Sequence, residues 1–388
     1  MRVILITLAG MTTSQTHKAV AALAIGALLI AACGSDDGAG DQQDAAAGPT
    51  TEATTAPDTT ATDPDAPSTV APSTVAPAPS TPQPEDDAPI VVATTSIWAD
   101  VTANVACDGL ARIETIIPPG GDPHSFEPSL RDRETMDNAD LVVANGLFLE
   151  ESLDDAVDAV EANGVAVLRV GDELDPLRVD GKYDDHDDED SDDHSDDHSD
   201  EDSDGDHDHG DFDPHVWWDP TRVAAAVPLI ANALADAGVD RTALDACATP
   251  YLEELTALDD DVAAIVAPLP SEQRILVTNH DSLGYFADRY DFEVLGSVIP
   301  SSSSLAATSP AELDALAADI EATGVSAIFA DTQNSSDDAD ALANRIGDIE
   351  VISMLTDTLD EPGTDQGTYV GWLRQNVETI VEALGGAS

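Results

Sequence analysis

The sequence has very few basic residues. Its 388 residues include 14 lysines and arginines against 78 aspartates and glutamates, a formal net charge of −64 at pH 7. Proteins neutralise nucleic-acid phosphates with lysine and arginine, so this composition argues against nucleic acid as a partner. A strongly acidic surface instead favours cations and resists self-association. We therefore expect a monomer that interacts with cations.

Cysteine is also scarce, and the three cysteines fall into two groups. Cys33 follows an apolar run from Ala19 to Ala32, which has the length of an export signal and is short for a membrane span. Cys107 and Cys247 lie in the body of the chain. An exported protein meets oxidising conditions, so these two form either a disulfide, which we favour, or two separate buried thiols.

The residues around Cys33 carry a recognisable motif. The stretch Leu29-Ile30-Ala31-Ala32-Cys33-Gly34 resembles the lipobox of bacterial lipoproteins. The resemblance implies that residues 1–33 are a signal peptide and that Cys33 is lipidated. The exported protein would then be anchored by this lipid to the outer face of the cell membrane. A plain signal peptide cleaved near Ala32 is the alternative.

Aromatic residues make up 4% of the chain, and residues 34–89 contain none. That segment consists mainly of Ala, Thr, Pro, Ser and Asp, which cannot bury enough apolar surface to form a core. We expect it to be a disordered tether between the anchor and the folded body.

From Ile90 onward, short apolar runs alternate with helical patterns in two series. The predicted strands are Ile90–Thr94, Ile113–Ile117, Leu141–Ala144, Val165–Val170, Ile275–Thr278, Phe292–Leu295, Val325–Phe329 and Glu350–Met354. Such alternation is typical of βαβ units with parallel sheets. Ser309 and Glu312 form a capping-box pattern that predicts a helix start in the second series.

A long helix is predicted between the two series, over Thr242–Ala267. Apolar residues recur there at spacings of four and three, at Tyr251, Leu255, Leu258, Val262 and Ile265. This spacing places them on one helix face. The sequence thus predicts an α/β protein with two lobes, each a mostly parallel sheet flanked by helices, joined by a long linker helix. We place the lobes at residues 90–239 and 271–388 and the linker helix at 240–270.

Histidine is concentrated in one segment and otherwise rare. Of nine histidines, five lie in the acidic segment 184–211, namely His186, His194, His198, His207 and His209. Outside that segment and the signal, three remain, namely His124, His215 and His280. Two of these follow Asp-Pro, in GDPHSFEP at 121–128 and DPHVWWDP at 213–220. Proline and aspartate fix the backbone of a loop, as a preorganised metal ligand requires. The residues alone leave metal ligation and an ordinary structural role equally open.

The two Asp-Pro-His motifs and VTNHDSLGYF at 277–286, in this order and with a lipobox, resemble a known family. They are similar to the metal-binding lipoproteins of zinc and manganese ABC importers, the cluster A-I substrate-binding proteins. The resemblance covers residues 90–388 and includes an acidic, histidine-rich insertion before the second motif. It implies a receptor that is not an enzyme and that works with an ABC permease and its ATPase.

The resemblance also implies a ligand set, which is His124, His215, His280 and Asp357. Asp331 is the competing carboxylate, but the family's acidic residue at that position is not usually a direct ligand. Three imidazoles and one carboxylate favour Zn²⁺ as the transported ion, because manganese prefers more oxygen ligands. Mn²⁺ is the alternative, because the resemblance includes proteins with three histidines and an aspartate that also accept manganese.

Two other functions are alternatives to the receptor. Three histidines can hold catalytic zinc in an extracellular hydrolase, but a fourth protein ligand would close the site, and the sequence has no HExxH motif. An adhesin is a further alternative. The segment 184–211 has two compatible interpretations, as a solvated, self-repelling loop and as an auxiliary low-affinity metal collector. We interpret Trp217 and Trp218 as packing residues near the site.

Overall fold

The computed structural model describes residues 88–179, 212–347 and 349–385, all within one compact unit, Val75–Ser388. The predicted signal peptide with Cys33, nearly all of the tether, and the five histidines of segment 184–211 lie outside the described residues. Within the described ranges, no helix has both the length and the apolar character needed to cross a bilayer.

The first sheet contains four parallel strands. In chain order these are β1 (Ile90–Ala93), β2 (Arg112–Thr115), β3 (Leu141–Ala144) and β4 (Ala166–Arg169), arranged β2-β1-β3-β4. The central strand β3 is buried on both faces, as expected when helices cover both sides of a parallel sheet. The covering helices are α1 (Ser96–Leu110), α2 (Leu130–Asp137) and α3 (Asp154–Ala162).

The second sheet repeats this arrangement. Its parallel strands are β5 (Ile275–His280), β6 (Glu293–Ile299), β7 (Ala327–Asp331) and β8 (Glu350–Met354), in the order β6-β5-β7-β8. Its helices are α6 (Gly284–Tyr290), α7 (Pro310–Thr323), α8 (Asp337–Ile346) and α9 (Tyr369–Gly385). The capping box predicted for Ser309 and Glu312 is present at the start of α7. The predicted fold class is confirmed.

Two helices connect the sheets, α4 (Pro220–Asp236) and the long α5 (Arg241–Val266). Helix α5 packs against α1 and α4, and it also packs against α9. Its apolar face is buried at Tyr251, Leu255, Leu258 and Val262, while the predicted Ile265 is only partly buried. A disulfide between Cys107 and Cys247 joins α1 to α5.

The strand orders decide where a ligand can bind. In the first sheet, β2 and β3 lie on opposite sides of β1, and in the second sheet, β6 and β7 lie on opposite sides of β5. The strand order therefore reverses direction at β1 and at β5, and each reversal is a topological switch point. Ligands of such sheets bind at this switch point, beyond the carboxyl ends of the strands. The last residues of β5 and β7 are His280 and Asp331, so the fold places both at the switch point of the second sheet.

Candidate metal centre

His280 is held by a carboxylate from the neighbouring strand. Both residues are buried, and His280 Nδ1 lies 2.7 Å from Asp331 Oδ2. The amide of Asn279 also donates to Asp331 Oδ2, at 3.3 Å. With Nδ1 paired in this way, the Nε2 atom of His280 is directed elsewhere. Asp331 therefore orients the imidazole. A carboxylate in this position commonly fixes the ring of a metal-binding histidine through its second nitrogen.

The second Asp-Pro-His motif is a turn closed by its own aspartate. Asp213 Oδ1 accepts the backbone N–H of His215 at 2.9 Å and lies 2.7 Å from His215 Nδ1. The same aspartate receives support from the other lobe, because the Tyr285 hydroxyl donates to its carbonyl at 2.7 Å. A Cβ on Gly284 would lie 2.6 Å from Asp213 Oδ2, so this carboxylate packs directly on the start of α6.

The first Asp-Pro-His motif forms the same backbone turn but holds its imidazole differently. Asp122 Oδ1 accepts the backbone N–H of His124 at 3.0 Å, and Asp122 Oδ2 accepts the Ser125 hydroxyl at 2.7 Å. The His124 ring is buried, yet neither of its nitrogens has a hydrogen-bond partner within the described residues. The nearest carboxylate is Glu151, whose Oε1 lies 3.7 Å from His124 Nδ1.

Asp357 follows β8 and is also buried. Its Oδ2 accepts from Gln333 Nε2 at 2.9 Å and lies 3.2 Å from the Thr356 hydroxyl, which is 3.0 Å from Asp331 Oδ1. Its Oδ1 has no hydrogen-bond partner in the described part of the chain. One oxygen is thus fixed in place while the other is available to a ligand.

These four side chains converge on one point. Each of His124, His215, His280 and Asp357 offers a ligand atom, and all four atoms lie within 4.8 Å of one another. His215 Nε2 is 3.2 Å from His280 Nε2. Oxygens of Asp357 lie 3.8 Å from His215 Nε2 and 3.6 Å from His280 Nε2.

The separations suit a tetrahedral ion. Zinc holds nitrogen and oxygen ligands at about 2.0–2.2 Å, so neighbouring ligand atoms of a regular tetrahedron are about 3.3–3.6 Å apart. Three separations, 3.2 Å between the two Nε2 atoms, 3.6 Å to Asp357 Oδ2 and 3.8 Å to Asp357 Oδ1, lie close to that range, and all four ligand atoms lie within 4.8 Å of one another. The group can therefore hold one ion with small side-chain movements.

The electrostatics of the cluster favour a cation. Burial disfavours the charged form of His280, but the charges of Asp331 and Asp357 outweigh it and raise the pKa of His280 to about 10. Burial lowers the pKa of His215 well below its usual value. Burial also raises the pKa of Asp213, to about 7. In the metal-free protein a proton on His280 thus supplies positive charge between two buried carboxylates.

The tryptophans beside His215 pack around the site. Trp217 stacks edge-to-face against the His215 ring at 5.3 Å, and Trp218 packs on Trp372 at 4.6 Å. Trp217 Nε1 also donates to the carbonyl of Thr356 at 3.0 Å, which fixes the backbone next to Asp357.

Several supporting residues could not be identified from the sequence. Gln333, Thr356 and Glu151 carry no motif, and folding brings Gln333 to Asp357 and Glu151 to His124, whereas Thr356 is the sequence neighbour of Asp357. The motif predicts that Asp213 orients its turn, and the structure adds a contact of Asp213 with the imidazole Nδ1. The motif DPH gives no signal for that contact, since Asp122 in the same motif does not make it.

Two doubly wound lobes with a buried set of three imidazoles and one carboxylate between them define a class, the two-lobed metal-ion receptors. Residues 91–383 match the family described as zinc-uptake complex component A, periplasmic. The chain belongs to this family. Its members are substrate-binding receptors of ABC importers.

The similar proteins bind several metals. The zinc-binding protein TroA of Treponema pallidum is 30% identical over 305 residues, which cover 77% of this chain and 90% of TroA. The manganese-binding lipoprotein MntA of Halalkalibacterium halodurans is 27% identical over 295 residues, 76% of this chain and 88% of MntA. The solved structure of the periplasmic zinc-binding protein TroA has a TM-score of 0.64 and 29% identity, and the match covers 76% of this chain and 99% of that one.

Proposed function

We propose that this chain is the extracytoplasmic zinc receptor of an ABC importer and that His124, His215, His280 and Asp357 are its ligands. The observation that carries the proposal is the convergence of four buried ligand atoms within 4.8 Å. Two of these residues, His124 and Asp357, have buried atoms without hydrogen-bond partners in the described residues. Leaving such atoms unpaired costs free energy, which a bound cation would offset.

The ligand types support zinc as the ion. Imidazole nitrogen suits zinc, and a site with three nitrogens and one carboxylate offers manganese few of the oxygen ligands it prefers. The TroA relative is described as zinc-binding. The manganese alternative is retained because the MntA relative is described as manganese-binding and Asp357 has two oxygens near the cluster.

Delivery to a membrane partner completes the proposal. Relatives described as lipoproteins support a lipid on Cys33 that holds the receptor at the outer face of the membrane. The receptor would pass its ion to a permease driven by an ATPase. The residues of the site serve to bind and release the ion, and we assign no catalysis to them.

The test is titration calorimetry with Zn²⁺ and Mn²⁺ on metal-stripped protein containing residues 88–388. The same titrations are run on a variant lacking residues 184–211 and on His280→Ala. We expect one tight zinc site that survives the deletion, because its ligands lie outside that segment, and that is lost in His280→Ala.

Each other outcome has a definite meaning. A tight site that disappears with residues 184–211 would contradict the assigned ligands. Tighter binding of manganese than zinc in a competition titration would replace the metal and keep the receptor. A tight zinc site unaffected by His280→Ala would place the ion elsewhere.

A further inference from the structure

We propose that Glu151, held by Ser303 of the opposite lobe, is the positioning residue of His124. The proposal rests on the receptor function proposed above and deepens it. It identifies what positions His124 as a ligand and which residue of the second lobe supports that position.

All three imidazoles of the cluster have a carboxylate near Nδ1. His215 Nδ1 lies 2.7 Å from the Asp213 carboxylate, and His280 Nδ1 lies 2.7 Å from the Asp331 carboxylate. His124 Nδ1 also faces a carboxylate, that of Glu151, but at 3.7 Å. All three imidazoles thus present the same nitrogen to an acidic side chain. That arrangement leaves Nε2 of each ring for an ion.

Within the described residues, the ring of His124 has no hydrogen-bond partner. Its side chain is 1% exposed, and both nitrogens lack a hydrogen bond to any of the described residues. Its own turn aspartate, Asp122, is occupied with the backbone N–H of His124 and the hydroxyl of Ser125. Glu151 is therefore the carboxylate that can accept a hydrogen bond from the Nδ1–H group of this ring.

Glu151 is held by a residue of the second lobe. The hydroxyl of Ser303, in the loop after β6 of the second lobe, donates to Glu151 Oε1, the same atom that faces His124. The adjacent Ser304 donates to Asp122 Oδ2 at 3.0 Å. The carboxylate that holds the His124 turn and the carboxylate that faces its ring thus each receive a hydrogen bond from one serine loop of the other lobe.

The distance gives this contact its function. At 3.7 Å the Glu151–His124 pair is too long for a hydrogen bond, and a movement of about 0.8 Å would form one. Binding of an ion at Nε2 makes the Nδ1–H of a histidine a stronger donor and draws the carboxylate in. Ser303 donates to the Glu151 oxygen that faces His124, so a residue of the second lobe supports the position of a ligand of the first lobe.

The experiment compares Glu151→Ala, Glu151→Gln, Ser303→Ala and the double variant Glu151→Ala/Ser303→Ala, with Ser302→Ala as the matched control in the same loop. Zinc dissociation is followed by stopped flow with a chromophoric chelator, and ring tautomers are followed by ¹⁵N-histidine NMR of the metal-free and zinc-loaded proteins. These two readouts separate positioning of His124 from a general loss of folding.

We expect Glu151→Ala to dissociate zinc about 10-fold faster and to mix the two tautomers of His124. Glu151→Gln keeps an acceptor oxygen and recovers most of the wild-type rate. Ser303→Ala speeds dissociation by a smaller factor and adds nothing in the double variant, because it acts through Glu151. Ser302→Ala matches the wild type.

The proposal is overturned if Glu151→Ala leaves both the dissociation rate and the His124 tautomer unchanged. It is also overturned if Ser303→Ala has its full effect in the Glu151→Ala background, since the two residues would then act independently. A wild-type protein without tight zinc binding would refute the receptor function itself, so the two failures are distinguishable.

Discussion

At the scale of single residues, two acidic side chains near His280 have different positions. Asp331 lies against Nδ1, on the side of the ring away from the cluster, whereas Asp357 belongs to the group of converging ligand atoms. The first arrangement orients an imidazole, and the second supplies a negative ligand. The proposed roles of the two carboxylates therefore differ and can be separated by mutation.

Replacing each carboxylate by its amide tests these roles. We expect Asp331→Asn to weaken zinc binding about 10-fold, because the amide still contacts His280 Nδ1 but stabilises it less. Asp357→Asn should cause a larger loss, because it removes a charged ligand. Competition with a chromophoric chelator measures both affinities, and circular dichroism checks the fold. A larger loss for Asp331→Asn would reverse the two roles.

The pH dependence of binding follows from His280. Burial alone would lower its pKa, but Asp331 and Asp357 raise it to about 10, so the metal-free protein carries this proton at pH 7. Zinc binds the neutral imidazole, so binding must displace the proton, and affinity falls as pH falls below about 10. We expect at least about one proton released per zinc. Calorimetry in phosphate and Tris, whose ionisation enthalpies differ, counts the protons, and a count of zero would contradict the assignment.

At the scale of secondary-structure elements, the start of α6 controls the loop that carries His215. Gly284 is the first residue of α6, and the carboxylate of Asp213 rests against it. The Tyr285 hydroxyl, one residue later, donates to the Asp213 carbonyl. Helix α6 of the second lobe thus fixes the loop that carries His215. The close approach of Asp213 to α6 requires a glycine at position 284.

Gly284→Ala is the corresponding variant. Its Cβ would lie 2.6 Å from Asp213 Oδ2, so the carboxylate must shift, which disturbs the contact of Asp213 Oδ1 with His215 Nδ1. We expect zinc affinity to fall about 10-fold while the helix itself tolerates alanine. Gly296→Ala is the control, because its Cβ meets only the end of the Leu316 side chain, at 3.0 Å. Equal effects of the two variants on affinity would argue against this coupling.

At the scale of the whole molecule, one apolar core joins the two lobes. The largest hydrophobic cluster among the described residues includes Val91 and Val143 of the first sheet, Leu276 and Phe329 of the second, and residues of α5 between them. A continuous core of this kind limits the relative motion of the lobes. We therefore expect small rearrangements around the site rather than wide opening.

The net charge leads to a prediction at the same scale. With 78 acidic and 14 basic residues, self-repulsion opposes the folded state more than ion pairs support it. Raising NaCl from 10 mM to 1 M screens this repulsion, so the melting temperature should rise, by about 2–4 °C for each kcal/mol of repulsion removed. Thermal unfolding monitored by circular dichroism measures the rise. An unchanged or lower melting temperature would show that the repulsion is not significant.

Features that depend on residues close together in the chain could be predicted from the sequence alone. Alternating apolar runs placed the strands within a few residues, helical spacing placed α5, and the Ser309–Glu312 pair placed the start of α7. The two Asp-Pro-His turns form because an aspartate accepts the backbone N–H two residues on, a contact encoded within three residues. Resemblance to a family supplied the four proposed ligands.

Contacts between residues that are far apart in the chain could be identified only from the tertiary structure. Glu151 and Ser303 are 152 positions apart, Trp217 and Thr356 are 139 apart, and the bridged cysteines are 140 apart. No local pattern specifies such contacts, because they arise only when the sheets and α5 have packed. The same Asp-Pro-His motif therefore leaves His124 facing Glu151 and ties His215 to its own aspartate, since the surroundings of each ring, and not the motif, select its partner.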